Sequence, residues 1–205
     1  MNTRETSPVE TALSYSTRDY PAPYTANDLL ELGDGRHRFE VWEGALIVSP
    51  PPPATHQRCG ARLRTVLDAV APGGAVALTA VGVRMDGDAT GFVPDVVSFQ
   101  MPNTGAELVS PVDMFVAVEI TVAGTVQRDR VMKPAAYAAA GIPHYWRIEL
   151  EPFPEQGGDR LPVILAYERD GDGYHLAHRL PAGRVGRLEA PFELELDPAW
   201  LVEDF

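Results

Sequence analysis

The spacing of apolar positions divides the first third of the chain into three predicted elements. A threonine followed three residues later by an acid is a helix-capping pattern, and it predicts a short helix over residues 25–32. Residues 38–49 form two short strand-like runs on either side of Glu43 and Gly44, which predicts a β-hairpin. Over 54–71 the apolar residues recur on one stripe with the helical period, which predicts an amphipathic helix.

Three predicted strands follow, and two of them are almost entirely apolar. They cover residues 75–85, 93–99 and 114–121. The second and third are each interrupted by a single acid, and such runs are typical of strands that are covered on both faces in an α/β sheet. A further helix is predicted over 127–140 and ends at Gly141.

The last third of the chain contains a strand and then several short strand-like runs. Residues 144–150 form the predicted strand, and the runs begin at residue 161. They predict an antiparallel extension that closes or covers one edge of the sheet. We therefore predict one α/β domain over 24–205, a length that suits a single core. Residues 1–23 are polar and without periodicity, which predicts a disordered segment.

Composition excludes several classes of protein. No apolar run approaches the roughly 20 residues of a membrane helix, so no membrane partner is expected. The N-terminus lacks the apolar stretch of a secretory signal. The single cysteine, Cys59, excludes an intrachain disulfide and a cysteine metal cluster. We expect a cytoplasmic protein.

The chain carries a large negative net charge, and almost all of its basic residues are arginines. A net charge of −12 argues against tight binding to duplex DNA, which depends largely on Lys and Arg that displace counterions. Bound divalent cations would reverse the sign locally. Lys133 is the one lysine beside 16 arginines. An amine can orient a water as a compact donor, so Lys133 is either an incidental surface residue or a functional one.

Two acids stand out because of their apolar surroundings. Asp95 and Glu119 each lie within one of the two apolar strands. A carboxylate in a strand buried on both faces is costly unless it is paired, hydrogen-bonded or bound to a cation. The two acids either face a common point and bind Mg²⁺ or Mn²⁺, or lie at strand ends in ordinary salt bridges.

Two more residues are candidates for the same site. Glu40 lies in the predicted hairpin between two apolar residues. Lys133 follows Glu119 by 14 residues and lies in the next predicted helix. Because that helix is expected to pack over the strand that contains Glu119, the Lys133 side chain can reach Glu119. Pro134 either belongs to a first helical turn or kinks a helix that has already begun.

Several other side chains have simpler explanations. His56 begins the long helix behind a run of prolines, and we expect it to be exposed. Cys59 lies on the apolar stripe and belongs in the core. Arg128 and Arg130 either contact phosphates or are solvated. Three aromatic residues are expected in the core rather than stacked on bases: Tyr137, Tyr145 and Trp146. No HExxH motif or glycine-rich nucleotide-binding loop is present.

Four segments in the observed order resemble a known family. They are FEVWEGALIVSPPP followed by a histidine, FVPDVVSF, VAVEIT, and DRVMKPAAYAAAGIPHYW. Together they are similar to the Uma-type group of restriction-endonuclease-like proteins in the PD-(D/E)XK nuclease superfamily. The resemblance covers roughly residues 24–180. It implies a mixed central β-sheet flanked by helices, with a divalent-metal site on its strands.

The resemblance also implies a role for each candidate. Asp95 and Glu119 would be metal ligands together with the backbone carbonyl of Ile120, and Glu40 would be an additional acid of the site. Lys133 would position and activate the attacking water. One departure is that the superfamily usually carries its lysine two residues after the second acid, where this chain has Thr121.

The sequence leaves three functions open. The ordered set of acids and lysine favours a Mg²⁺- or Mn²⁺-dependent endonuclease that hydrolyses DNA phosphodiester bonds. The acidic charge and Thr121 favour a catalytically degenerate protein of the same fold, acting as a binding or assembly module. A metal-dependent hydrolase of a smaller phosphate ester is a third possibility.

The C-terminal strands suggest an edge for a homodimer.

Overall fold

The helices and strands form where the apolar periods occur. The structure is a computed structural model, and it describes residues 23–32, 37–85, 87–101, 107–122 and 124–203. The predicted disordered segment over 1–23 lies outside the described residues except for its last position. The single domain over 24–205 stays a prediction. No helix in the described ranges is long and apolar enough to cross a membrane.

The helical elements are few and short apart from one. The α-helices are α1 Asp28–Glu31, α2 Ala54–Val70 and α3 Lys133–Ala139. Two 3₁₀ turns, Pro111–Asp113 and Pro198–Leu201, and one π-helical turn, Arg128–Met132, complete the set within the described residues.

The strands are short at the start of the chain and longer in its second half. They are β1 Arg38–Trp42, β2 Ala45–Ser49, β3 Ala75–Thr79, β4 Val83–Arg84, β5 Gly91–Phe92, β6 Val96–Gln100, β7 Met114–Thr121, β8 His144–Glu149, β9 Val163–Asp170, β10 Gly173–Pro181, β11 Gly186–Leu188 and β12 Leu194–Leu196.

The main sheet is mixed, as predicted. Its order is β10-β9-β8-β7-β6-β3, with β7 and β8 parallel and every other neighbouring pair antiparallel. The crossover between the parallel strands contains α3. Strands β9 and β10 form the antiparallel extension at one edge, so that prediction and the α/β fold class are confirmed. A smaller sheet has the order β2-β1-β5-β4, and β11 pairs with β12.

Strand β7 is covered on both faces, because alternate side chains enter two different clusters. Val118 and Ile120 pack against the apolar stripe of α2, which includes Leu63. Ala117 points the other way and packs with Tyr137 of α3. Cys59, Tyr145 and Trp146 are also buried in these two clusters, which confirms their predicted place in the core.

Two predicted strand boundaries are wrong. The strand predicted over 75–85 is divided, because Ala80 has a positive φ of 53° and the chain turns away after β3. Its second part, β4, joins the smaller sheet instead. The strand predicted over 93–99 begins only at Val96, so Asp95 lies just before β6 and not within it. Asp95 is therefore at the end of the sheet, where a cavity can reach it.

The helix predicted over 127–140 forms with an unexpected first turn. The segment Arg128–Met132 winds as a π-helix and continues into α3. Pro134 supplies the physical reason, because proline has no N–H and its ring would press on the carbonyl of Arg130 in an ordinary α-helix. A wider turn avoids that contact, and such turns frequently occur at functional sites. Gly141 follows α3 with a positive φ of 83°, as its predicted end requires.

Replacement of Gly91 with alanine is expected to lower the free energy of unfolding by about 1–3 kcal/mol, because it overpacks the contact between β5 and the start of the chain. An added Cβ would lie 2.7 Å from a Leu29 methyl and 3.0 Å from the Ala26 Cα. Urea unfolding measures the change. Gly73→Ala is the matched control, since a Cβ there meets no atom within 4 Å. An equal effect of both substitutions would contradict the prediction.

Candidate active site

A cavity of about 190 Å³ lies at the end of the main sheet, between the hairpin β1–β2, the first turn of α2 and the π-helical turn. Its carboxylates are Glu40, Asp95, Glu119 and Asp129. Its cations are Arg38, Arg128 and Lys133. When all four carboxyl groups are ionised, these charged groups carry one negative charge in excess, and that state favours the binding of a cation.

Asp95 is held at the centre of the cavity by three hydrogen bonds. Arg38 donates to Oδ1 at 2.5 Å, and the backbone N–H of Ile120 donates to Oδ2 at 2.7 Å. The Nε2 atom of His56 lies 3.1 Å from Oδ2. The Asp95 backbone N–H donates to the Val118 carbonyl at 3.0 Å, which ties this residue to β7. The carboxylate is thus aimed by groups from three separate elements.

The surroundings of Asp95 keep it ionised. Burial alone would raise the pKa of this carboxyl group. The hydrogen bond from His56 and the charge of Arg38 outweigh burial and lower the pKa to about 2. An ionised carboxylate can only accept, so Nε2 of His56 carries the proton in their contact.

Lys133 lies between two carboxylates that also line the cavity. Its Nζ is 2.8 Å from Oε1 of Glu40 and 2.9 Å from Oε1 of Glu119. Tyr137 also donates to Oε1 of Glu119 at 2.6 Å, and the backbone N–H of Val93 donates to Oε1 of Glu40 at 3.0 Å. Lys133 is only 2% exposed, so it is not an incidental surface residue.

Burial and the neighbouring charges shift the pKa of Lys133 in opposite directions, and the same is true of Glu119. Burial favours the neutral form of Lys133, but Glu119 and Glu40 raise its pKa above the usual value, so the ammonium stays charged. Burial, together with the negative charges of Asp129 and Asp95, raises the pKa of Glu119 to about 8 although Lys133 opposes the change. Lys133 therefore acts here as a donor and not as a base.

All four candidates from the sequence line this one cavity: Glu40, Asp95, Glu119 and Lys133. Their elements differ, since Glu40 lies on β1, Asp95 precedes β6, Glu119 is near the end of β7 and Lys133 begins α3. The side chain at Thr121 is buried, and its hydroxyl has no hydrogen-bond partner within the described residues. The ammonium reaches Glu119 from the helix instead of from the strand.

One expectation for this site is wrong and two residues were missed. His56 is buried, with 5% exposure, and contacts Asp95, whereas we expected it to be exposed. The prolines before α2 and the first turn of that helix both line the cavity. Arg38 and Asp129 line the cavity without having been singled out as site residues. Their sequence signal was weak, although Asp129 stands four residues before Lys133, which places both on one helical face.

The remaining candidates have structural partners. Arg130 makes two hydrogen bonds to Glu149, at 3.0 and 2.9 Å, and so anchors the π-helical turn to β8. Arg128 donates to the Ser49 hydroxyl at 2.9 Å and lines the cavity. Of the two arginines, only Arg128 is in a position to meet a ligand in this cavity.

The donor set fits a hard divalent cation. An ionised carboxylate has about four acceptor sites, and Asp95 uses three of them. Glu119 makes both of its described contacts through Oε1, so those contacts leave its Oε2 for a cation. The N–H and C=O of one strand residue point toward the same edge, so the Ile120 carbonyl faces the Asp95 side. Within the described ranges no three His, Cys, Asp or Glu side chains form a metal-binding group. A set of two carboxylates and a carbonyl needs no third such side chain.

Comparisons with known proteins identify the same kind of fold. A family model described as "Uma2: Putative restriction endonuclease" matches residues 26–199. A crystal structure of a putative nuclease belonging to DUF820, from Anabaena variabilis ATCC 29413, is similar with a TM-score of 0.65 and 18% identity. The match covers 88% of this chain and 98% of that chain. At that identity the likeness shows the fold alone. No curated protein matches the sequence.

Proposed function

Because the chain belongs to the Uma2 family of restriction-endonuclease-like proteins, we propose that it is a Mg²⁺- or Mn²⁺-dependent endonuclease that hydrolyses DNA phosphodiester bonds. The observation that carries the proposal is the buried contact of Lys133 with Glu119 in the cavity that also contains Asp95. Asp95, Glu119 and the Ile120 carbonyl are the proposed metal ligands. Glu40 is the proposed additional acid, because it holds the other side of the Lys133 ammonium.

The side chains of the cavity have separable tasks in this proposal. A bound divalent cation supplies a lowered pKa for its water ligand and neutralises charge on the phosphate. Arg38 and His56 orient the Asp95 carboxylate. The Lys133 ammonium has three N–H donors, of which Glu40 and Glu119 take two. The third is available to hold the attacking water or a phosphate oxygen.

The immediate surroundings of the cavity suit a nucleic-acid strand better than the net charge suggests. Arg38 and Arg128 both line the cavity and are well placed to contact a phosphate. A second groove of about 630 Å³ adjoins the cavity and shares Arg38, His56 and Asp95 with it. That groove gives room for the nucleotide next to the scissile phosphate. DNA as the substrate, a homodimer and a cytoplasmic location stay predictions.

Nicking of supercoiled plasmid by the purified protein tests the proposal. We expect nicking with Mg²⁺ or Mn²⁺ and none with EDTA. Glu119→Gln keeps the shape of the side chain and its acceptor oxygen for Lys133 but weakens the metal site, so nicking is expected to fall by about a hundredfold or more. The matched control is Glu193→Gln, an exposed residue paired with Arg187, which is expected to nick normally.

The degenerate protein remains the alternative, and one observation favours it. Asp95 already accepts three hydrogen bonds, which is how a purely structural carboxylate is satisfied. Absence of nicking by the wild type with either metal, at low salt and high protein concentration, would exclude the simple nuclease. A binding or assembly role would then be the better explanation.

A further inference from the structure

Asp129 is a buried carboxylate that the proposed metal site does not use. It lines the cavity and is only 2% exposed. Glu40, Asp95 and Glu119 each have a cationic partner within ion-pair distance. Asp129 has none among the described residues. An unpaired buried carboxylate is costly, so its presence beside the reactive groups requires an explanation.

The local fold aims Asp129 into the cavity. It lies in the π-helical turn four residues before Lys133, so both side chains project from one face. Its backbone carbonyl accepts a hydrogen bond from the Tyr145 hydroxyl, and its backbone N–H donates to the Thr125 carbonyl at 3.0 Å. The nearby Thr125 side chain favours the ionised form of the Asp129 carboxyl group and so acts to lower its pKa. The turn is therefore held from two sides while the carboxylate faces the cavity.

The geometry favours a proton acceptor over a further metal ligand. Asp129 belongs to no group of three metal-binding side chains within the described residues, so it does not share one coordination sphere with Asp95 and Glu119. All three carboxyl groups line the same cavity of about 190 Å³, which has room for a water molecule. Lys133 cannot take a proton, because its ammonium is held charged by two carboxylates.

We propose that Asp129 accepts the proton of the water that attacks the phosphodiester. This inference rests on the proposed nuclease function. In the step, the water oxygen bonds to phosphorus, the water proton passes to the Asp129 carboxylate, and the bond from phosphorus to the leaving sugar oxygen breaks. The leaving oxygen keeps the electron pair and takes a proton from solvent. Asp129 then returns its own proton to solvent.

The charges around Asp129 suit that task. Burial raises the pKa of its carboxyl group to about 6, against the opposing charge of Lys133. A base whose pKa lies near the working pH is both ionised and able to hold a proton. The titratable and charged groups that act on it come from several elements: Lys133 of α3, Arg130 of the π-helical turn, Glu40 of β1, Asp95 before β6, Glu119 of β7 and Tyr145 of β8.

The test is single-turnover nicking of supercoiled plasmid with Mn²⁺ between about pH 5 and pH 9. The wild-type rate is expected to rise about tenfold per pH unit at low pH and then to level off. Asp129→Asn is expected to lose about a hundredfold or more of the rate, together with this rise. Asp129→Glu is expected to recover part of both. Asp88→Asn, which removes an exposed ion pair with Arg84, is the matched control.

Thermal unfolding gives a readout that does not depend on activity. Because the folded pKa of Asp129 is raised, its ionisation destabilises the fold as pH rises from the unfolded value of about 4 through about 6. Asp129→Asn removes that cost, so the variant is expected to melt higher than the wild type at about pH 8. If the role of Asp129 were only structural, its replacement would lower the melting temperature. If Asp129 is the proton acceptor, the variant has a lower nicking rate and a higher melting temperature.

Each outcome decides one of the two claims. Asp129→Asn that nicks like the wild type with the same pH profile would overturn the role of Asp129 and leave the nuclease intact. Asp129→Asn that is both inactive and less stable would show a structural role and overturn it as well. A wild-type protein that does not nick at all would remove the nuclease proposal, and the role of Asp129 with it.

Discussion

Lys133→Met is expected to abolish nicking and to lower the free energy of unfolding by about 3–5 kcal/mol. Methionine fills a similar volume but removes the charge that lies between Glu40 and Glu119. The two buried carboxyl groups then lie close together without a cation. Removing one partner of a buried ion pair in this way destabilises the fold, because it leaves a buried charge without compensation. The attacking water would also lose the hydrogen bond that the Lys133 ammonium is proposed to donate. Urea unfolding and single-turnover nicking measure the two effects.

A second substitution separates stability from catalysis. Lys133→Met combined with Glu119→Gln removes one of the stranded charges, so it is expected to recover part of the stability and none of the nicking. Arg187→Met removes an exposed cation from its pair with Glu193, and it is expected to change stability by less than about 1 kcal/mol. Normal nicking by Lys133→Met would show that the lysine has no part in the reaction.

Asp95→Asn is expected to reduce metal-dependent nicking by about a thousandfold or more, since a bound metal supplies several kcal/mol of transition-state stabilisation. The asparagine amide is neutral, and one of its two ends is a donor. It therefore cannot accept from Arg38, His56 and the Ile120 N–H as the carboxylate does. A loss of stability of about 1–3 kcal/mol is expected from the unmatched donors.

Metal binding provides an independent check on Asp95. A cation that binds the folded chain and not the unfolded chain stabilises it, so the melting temperature rises with the logarithm of the cation concentration above Kd. We expect Mn²⁺ to raise the melting temperature of the wild type and to leave that of Asp95→Asn unchanged. Asp88→Asn serves again as the control with an exposed carboxylate. Equal stabilisation of wild type and Asp95→Asn by Mn²⁺ would show that the metal binds elsewhere.

Local patterns predicted most of the elements correctly, because period and turn chemistry are properties of neighbouring residues. The hairpin turns at Glu43 and Gly44, which both have positive φ as a tight turn requires. Helix α2 and strand β7 follow their apolar patterns almost to the residue. Pro134 signalled an irregular helix start, although its π-helical form depends on how the chain avoids the proline ring.

The strand boundaries near the site could not be read in this way. Val83 is as apolar as the residues of β3, yet β4 pairs with β5 in the smaller sheet. Apolar composition does not distinguish one sheet from another. The same difficulty hid the exact place of Asp95, which looked like a strand residue because apolar residues flank it on both sides.

The sequence was sufficient for the fold class and the family resemblance. It also singled out four residues that the structure brings to one cavity, Glu40, Asp95, Glu119 and Lys133, although their roles stay predictions. It was not sufficient for Arg38, His56 and Asp129. Arg38 meets Asp95 across 57 positions of chain and His56 meets it across 39. An ordinary charged residue becomes part of a site only when folding buries it beside such distant partners, because burial is what makes its charge and its hydrogen bonds matter.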